Sequence, residues 1–271
     1  MNCIICGSKC SYFFSKSYVD TEFYELMHDI GLVNYYKCDN CGFVLSKTHA
    51  DMSDVVWSEL NNQFHHLIEN REDKSHQPPY VEQALMISIL GHNKIIDLSS
   101  MLDYAAGYGT LSKILNKYCK IQLPIYDSHV KNKAVDKYVE KSELSTYKTV
   151  INSAMFEHVI SRKNLDDINN LCDLDGALII HTVICENIPK DPNWFYLAPP
   201  VHTAFHTNKS MGILMKQWGY DFSIYCPPSK CWILLRGDLE DVKSKLWFIN
   251  KEFQSEWFFC KKGFVDYWKG F

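Results

Sequence analysis

The stretch from Met101 to Leu115, MLDYAAGYGTLSKIL, constrains this chain more than any other. Two apolar residues and an acid read as a buried strand that stops abruptly. The small residues around Gly107 and Gly109 demand a tight turn, and a helical pattern follows. Lacking side chains, Gly107 and Gly109 let the backbone take left-handed or crowded conformations, so a ligand can approach the amides at the helix N-terminus. The spacing is Ala105-x-Gly107-x-Gly109 with Asp103 just ahead, not the G-x-G-x-x-G of dinucleotide folds. An ordinary strand-to-helix turn has the same look, so a second signal is needed.

That signal is Asp127, 18 positions beyond Gly109, which closes a second apolar run from Ile121 to Tyr126. In a βαβ unit an acid about 20 residues past the turn reaches the ribose hydroxyls of a bound nucleoside. MLDYAAGYG followed by PIYDSHV resembles class I S-adenosylmethionine (SAM) dependent methyltransferases, whose first motif reads hydrophobic-hydrophobic-D-x-G-x-G-x-G with an acid ending the second strand. Ala105 departs from the first glycine of that motif but is small enough to keep the turn. The resemblance implies an α/β fold: a Rossmann-like seven-stranded SAM methyltransferase sheet, its last strand inserted in reverse. It also implies cofactor contacts from Asp103, Ala105, Gly107, Tyr108, Gly109, Asp127 and Ser128.

The N-terminus carries a separate pattern. Cys3-x-x-Cys6-Gly7 and Cys38-x-x-Cys41-Gly42 repeat one knuckle across a strand-like segment that includes Tyr12 to Phe14 and Val33 to Tyr36. Two such knuckles supply four thiolates for a tetrahedral zinc ion, each glycine letting the chain fold around the metal. Four protein ligands leave no position for water, so the expected role is structural. A redox C-x-x-C pair is the alternative, but redox chemistry has no need of a duplicate. Cys10 reads as a bystander.

With 28 basic and 32 acidic residues among 271, the formal charge of −4 disfavours a dedicated nucleic-acid binder. No apolar run reaches the roughly 18 residues of a membrane helix, which argues against a membrane partner. No secretory signal is visible, so a cytoplasmic location is expected. There, 11 cysteines point to metal or free thiols rather than disulfides.

Residues 1–75 are read as the zinc module and linker, 76–237 as the SAM domain and 238–271 as a helical aromatic tail. Val55 to Leu67 has helical spacing, and Asn70 to Pro79 looks like a linker. Tyr80 to Leu90 is a helix entered from proline. Methyltransferases of this kind place such a helix over the cofactor pocket, so the resemblance sets Tyr80 against the methionine end, unless it only packs. Thr149 to Asn152 reads as a strand, and Asn152 through Val159 resembles the family's fourth-strand motif, in which an acid or amide precedes E-H-V. Asn152 is then a cofactor contact and His158 a general base or substrate ligand; packing beneath the next helix is the alternative. Ala177 to Val183 is expected as a strand after an Asp175-Gly176 turn, Gly212 to Gly219 as a late helix leading to Tyr220 to Tyr225, and Cys231 to Leu235 as the last strand of the sheet.

Cys185 to Thr207 is a long proline-containing stretch of the kind that forms lids or substrate walls. From His202 to Met211 it resembles the family's H-x-x-F-x-x-x-x-S-hydrophobic pattern, whose histidine faces the acceptor. Trp194, Phe195 and Tyr196 either stack on a sugar or base or pack within a lid. The tail places Leu239, Val242, Leu246, Ile249 and Phe253 at helical spacing, followed by Trp257, Phe258, Phe259, Phe264, Tyr267, Trp268 and Phe271. Such a stripe must be covered, by the core, the zinc module or a second subunit. Oligomeric state stays open.

A duplicated C-x-x-C-G module beside a SAM domain resembles bacterial methyltransferases that modify nucleotide-linked sugars for surface polysaccharide or glycoside biosynthesis. The C-methylating members carry a longer C-terminal domain, so the expectation is O-methylation of a sugar nucleotide, a small-molecule acceptor, with His158 or His202 as the base. C-methylation, or an RNA or protein acceptor, are the alternatives.

Overall fold

The computed structural model describes residues 1–69, 77–130 and 137–266. In chain order the strands are β1 (Cys10–Lys16), β2 (Val33–Cys38), β3 (Val44–Ser46), β4 (Met101–Tyr104), β5 (Ile125–Tyr126), β6 (Tyr147–Ser153), β7 (Cys172–His181), β8 (Ile184–Cys185), β9 (Ala204–Thr207), β10 (Phe222–Cys226), β11 (Cys231–Leu235) and β12 (Phe259–Lys262). The helices are α1 (Tyr24–Met27), α2 (Lys47–Ala50), α3 (Asp54–Glu69), α4 (Tyr80–His92), α5 (Thr110–Ile114), α6 (Arg162–Asn170), α7 (Asn208–Gln217) and α8 (Leu239–Phe253). They belong to two compact units.

The first unit comprises Met1–His76, Glu157–Asn164 and Val183–Ile213. Its five-stranded sheet runs β1-β2-β3-β9-β8, antiparallel except for the last pair. Alternation along β2 sends Val33 and Tyr35 inward and Asn34 and Tyr36 outward. Tyr35 stacks on Phe14 at 5.1 Å and packs against Phe205 at 5.7 Å. Leu60 and Phe64, one turn apart on α3, close the same core. The stretch from Cys185 to Thr207, expected as a lid or substrate wall, ends in buried β9, paired with β3 through Val44–Phe205 and Leu45–Ala204. Alternate apolar residues are too few in a four-residue strand to betray it, and its partner lies some 160 positions away in the chain.

The second unit comprises Gln77–Phe156, Leu165–Thr182 and Leu214–Phe271. Its sheet runs β12-β10-β11-β7-β6-β4-β5. From β5 to β7 the strands are parallel, and β11 inserts antiparallel between β7 and β10. This is the Rossmann-like seven-stranded sheet that the resemblance implies, except that β12 of the tail, and not Cys231–Leu235, is its last strand in the chain. Beyond β5, Tyr138 makes a parallel bridge to Ile125. Leu178, Ile179 and Ile180 of β7 are buried as consecutive residues, as expected of a parallel strand covered on both faces. Met86, Ile87 and Leu90 of α4 and Val242, Leu246 and Ile249 of α8 belong to this core.

Three sequence expectations need correction. β5 is two residues long rather than a run from Ile121, since Pro124 has no N–H to give a ladder and only its carbonyl accepts, from the Asp103 amide at 2.9 Å. Asp175-Gly176 is no turn: β7 runs through it, and Gly176 is required because a Cβ there would lie 2.9 Å from the Lys148 carbonyl oxygen. The late helix starts at Asn208, ahead of Gly212. The units also differ from the boundaries 1–75, 76–237 and 238–271. Thr203 donates to the Glu157 and Val159 carbonyls, drawing residues 157–164 and 183–213 into the first unit. The tail joins the second, where β12 pairs with β10 and Phe264 stacks on Trp232 at 5.6 Å. Residues 70–76 of the expected linker, and Tyr267, Trp268 and Phe271, lie outside the described residues.

Candidate active site

In the second unit, β4 gives out at a turn where Ala105, Gly107 and Gly109 have φ of 61°, 54° and 69°, three left-handed residues in five. Alanine adopts this region at a cost of about 1–2 kcal/mol, so the surrounding structure must enforce it. The Ala106 amide donates to the Tyr126 carbonyl at 3.1 Å and the Gly107 amide to Asp127 Oδ2 at 2.8 Å. Asp127 Oδ1 accepts from the His129 and Val130 amides at 2.7 and 2.8 Å. One carboxylate thus ties the turn after β4 to the loop after β5 and, of its roughly four lone-pair positions, keeps one for another donor. A Cβ at Gly107 would meet no atom of the described residues within 4 Å.

Asp103 is buried and its Oδ1 has no hydrogen-bond partner among the described residues. Burial, then the nearby charge of Asp127, pushes its carboxyl up to about 8. Tyr108 is half-buried beside it in sequence, and Ser128 is exposed.

Asn152, expected at the cofactor, is fully buried: its Nδ2 donates to the Tyr104 carbonyl at 3.0 Å, joining the ends of β6 and β4. Its Oδ1 is buried and has no hydrogen-bond partner among the described residues. Two participants were not apparent in the sequence. Gln83 on α4 exchanges hydrogen bonds with Ser153 at 3.2 Å, which brings the first turn of α4, with half-buried Tyr80, to the carboxyl end of β6. Ala154 takes φ of 61° just past β6. Left-handed alanines thus follow both β4 and β6, adjacent parallel strands, and backbone strain of this kind collects at functional sites. Nothing in an isolated Gln or Ala signals such a role.

In the first unit, Glu157, His158 and His202 converge, one ligand atom from each lying within 4.8 Å of the others. The His158 ring stands 5.1 Å from that of His202 and is stacked on His65 at 5.7 Å. His202 Nδ1 lies 2.7 Å from the Tyr196 carbonyl. A carbonyl only accepts, so Nδ1 carries the proton and Nε2 keeps its lone pair. Burial holds this imidazole's pKa down to about 4, leaving it neutral near pH 7. Tyr196 packs on His202 at 4.6 Å, and Trp194 packs on Phe205 at 5.3 Å, so these aromatics have protein partners.

The two cysteine knuckles, also in the first unit, are near copies. Gly7 and Gly42 have φ of 75° and 74°, and their amides donate to Cys3 and Cys38 carbonyls at 3.0 and 3.1 Å. The Cys3–Cys41 and Cys6–Cys38 sulfur pairs stand 3.6 and 3.4 Å apart, and all four sulfurs lie within 4.8 Å of one another. Tetrahedral zinc with bonds near 2.3 Å needs sulfur–sulfur edges of about 3.8 Å, so the residues fit such an ion. Cys10 pairs with Cys38 across the sheet, and burial, with the charge of Cys3, pushes its thiol up to about 12.

A scan of protein-family models finds no match to the sequence, and a search of curated proteins finds none. Similar solved structures include the plantazolicin methyltransferase BpumL in complex with SAH, at 10% identity over 65% of this chain and 90% of that one, with a TM-score of 0.43. A putative O-methyltransferase from Nostoc punctiforme matches at 11% identity over 66% and 67%, with a TM-score of 0.39. CalO1, a methyltransferase in calicheamicin biosynthesis, matches at 14% over 57% and 54%, with a TM-score of 0.41. Likeness this distant leaves the activity to be read from the chain's own residues. No helix among the described residues is long and apolar enough to cross a membrane.

Proposed function

We propose that the protein is a SAM-dependent methyltransferase acting on a hydroxyl of a nucleotide-linked sugar. The observation that carries this reading is the left-handed turn at Ala105, Gly107 and Gly109, strapped to Asp127 at the end of the neighbouring strand. The turn at Gly107 is proposed to admit the methionine portion, with Tyr80 and Tyr108 as proposed contacts and Asp127 accepting from a ribose hydroxyl with its remaining lone pair. Ser128, next to Asp127, extends the same loop. Asp103 and Asn152, buried at the ends of β4 and β6 with an unpartnered carboxyl or amide oxygen each among the described residues, are further proposed cofactor contacts.

When bound, SAM supplies an electrophilic methyl group. The chain has to orient the acceptor and take its proton. His158 follows the last residue of β6 by five positions, and His202 presents an unprotonated Nε2; these are the proposed proton acceptors. A zinc ion held by Cys3, Cys6, Cys38 and Cys41 is proposed as structural, since four thiolates close its coordination.

Calorimetry with SAM or S-adenosylhomocysteine tests the cofactor half: micromolar binding is expected, and absence of heat overturns it. A screen of sugar nucleotides with mass detection tests the acceptor half. A product heavier by one CH2 whose new methyl group NMR places on oxygen supports it; methylation only of RNA, protein or a sugar carbon replaces it.

A further inference from the structure

Glu157 is 2% exposed, and a carboxylate taken this far out of water needs a positive partner or a proton. Two imidazoles, those of His158 and His202, are among the groups brought within reach of it. Thr203 fixes that approach, its amide donating to the Glu157 carbonyl at 2.7 Å and its hydroxyl to the Val159 carbonyl at 2.6 Å. His202, the residue before it, is held twice more, by Tyr35 Oη on its carbonyl at 3.1 Å and by the Tyr196 carbonyl on its ring.

We propose that Glu157, His158 and His202 form a binding site for a divalent transition-metal ion, separate from the four-cysteine site. Two imidazoles and a carboxylate are a borderline-hard set suited to zinc, iron, cobalt or nickel, unlike the soft thiolate set of the knuckles. Histidine ligands are usually oriented by giving their second N–H to a carbonyl, and His202 does this with Tyr196. The ligand atoms lie within 4.8 Å of one another, and bonds of about 2.1 Å require edges of about 3.4 Å, a contraction within reach of side-chain rotation. Three protein ligands leave a position open for an oxygen donor, as catalytic sites do and the cysteine site does not.

The site stands whether or not the methyl-transfer reading does. It does compete with one part of that reading, since an ion held by His158 and His202 removes both imidazoles as proton acceptors. Equilibrium dialysis of the full chain against zinc, followed by elemental analysis, is expected to give two equivalents. His202→Ala and Glu157→Gln should each hold one, with unchanged far-UV circular dichroism; the near-isosteric Glu157→Gln decides if His202→Ala does not fold. With cobalt, the second equivalent should add d–d bands without thiolate charge transfer. One equivalent in the unmodified protein, or two in both variants, overturns the proposal, and neither result bears on SAM binding.

Discussion

The Gly107 amide donates to Asp127 Oδ2 at 2.8 Å, so the acid proposed to grip a ligand's ribose already spans the two loops that form its seat. Pre-organisation and binding fall on one side chain. Asp127→Asn exchanges an acceptor for an N–H donor on one side and removes the charge. Charge-assisted hydrogen bonds contribute about 1.5–3 kcal/mol, and a loss of that size in urea unfolding is expected, together with at least a tenfold weaker SAM dissociation constant by calorimetry. Unchanged affinity in a folded variant refutes the ribose assignment.

Ala105 and Ala154 carry left-handed strain that glycine does not. Release of about 1–2 kcal/mol is offset by glycine's larger chain entropy in the unfolded state, about 0.5–1 kcal/mol. Ala105→Gly and Ala154→Gly should therefore each be neutral to about 1.5 kcal/mol stabilising. Destabilisation of either by more than that in chemical denaturation would contradict the backbone described here.

Asp103 makes stability fall with rising pH. Its carboxyl is raised from 3.8 to about 8 in the fold, so between those values the folded state holds a proton that the unfolded chain releases. The stabilisation is fully present below about pH 4, declines toward about pH 8 and is lost above it, with a slope of at most about 1.4 kcal/mol per pH unit. Asp103→Asn should flatten that part of the profile and melt higher than the parent at pH 8.5. A parent profile that rises between pH 5 and 8, with no change on substitution, rules this out.

Gly176 occupies a space already taken. An added Cβ would meet the Lys148 carbonyl at 2.9 Å, Cys172 Sγ at 3.0 Å and the Asp173 carbonyl at 3.1 Å, and backbone carbonyls cannot rotate away. Gly176→Ala should cost about 1–3 kcal/mol, measurable as a lower urea midpoint with unchanged slope. A neutral result would mean that β6 and β7 separate at their bulge more easily than the packing implies.

Chelation should act on the first sheet. Cys38 is both a proposed ligand and the partner of Cys10 at the start of the β1–β2 ladder. A dipicolinate-type chelator, or Cys38→Ser, should release one equivalent of zinc and expose residues 1–50 to limited proteolysis, with β4–β7 still protected. Proteolytic resistance equal to that of the untreated chain would show that the knuckles close without an ion.

Local chemistry was enough to mark out several parts of this protein. Gly107 and Gly109 announce a turn because only a residue without Cβ takes such backbone freely, and the C-x-x-C-G pairs announce two like knuckles because their spacing is itself local. Cys231 to Leu235 was legible as a strand from its apolar run. What local pattern could not carry was which distant segments meet: that β9 would pair with β3, that Gln83 would reach Ser153, or that Thr203 would draw Glu157, His158 and His202 together. Those contacts are fixed by which arrangement buries apolar area while pairing every backbone donor, a property of the whole chain, whereas a turn or a knuckle is settled within a few residues of itself.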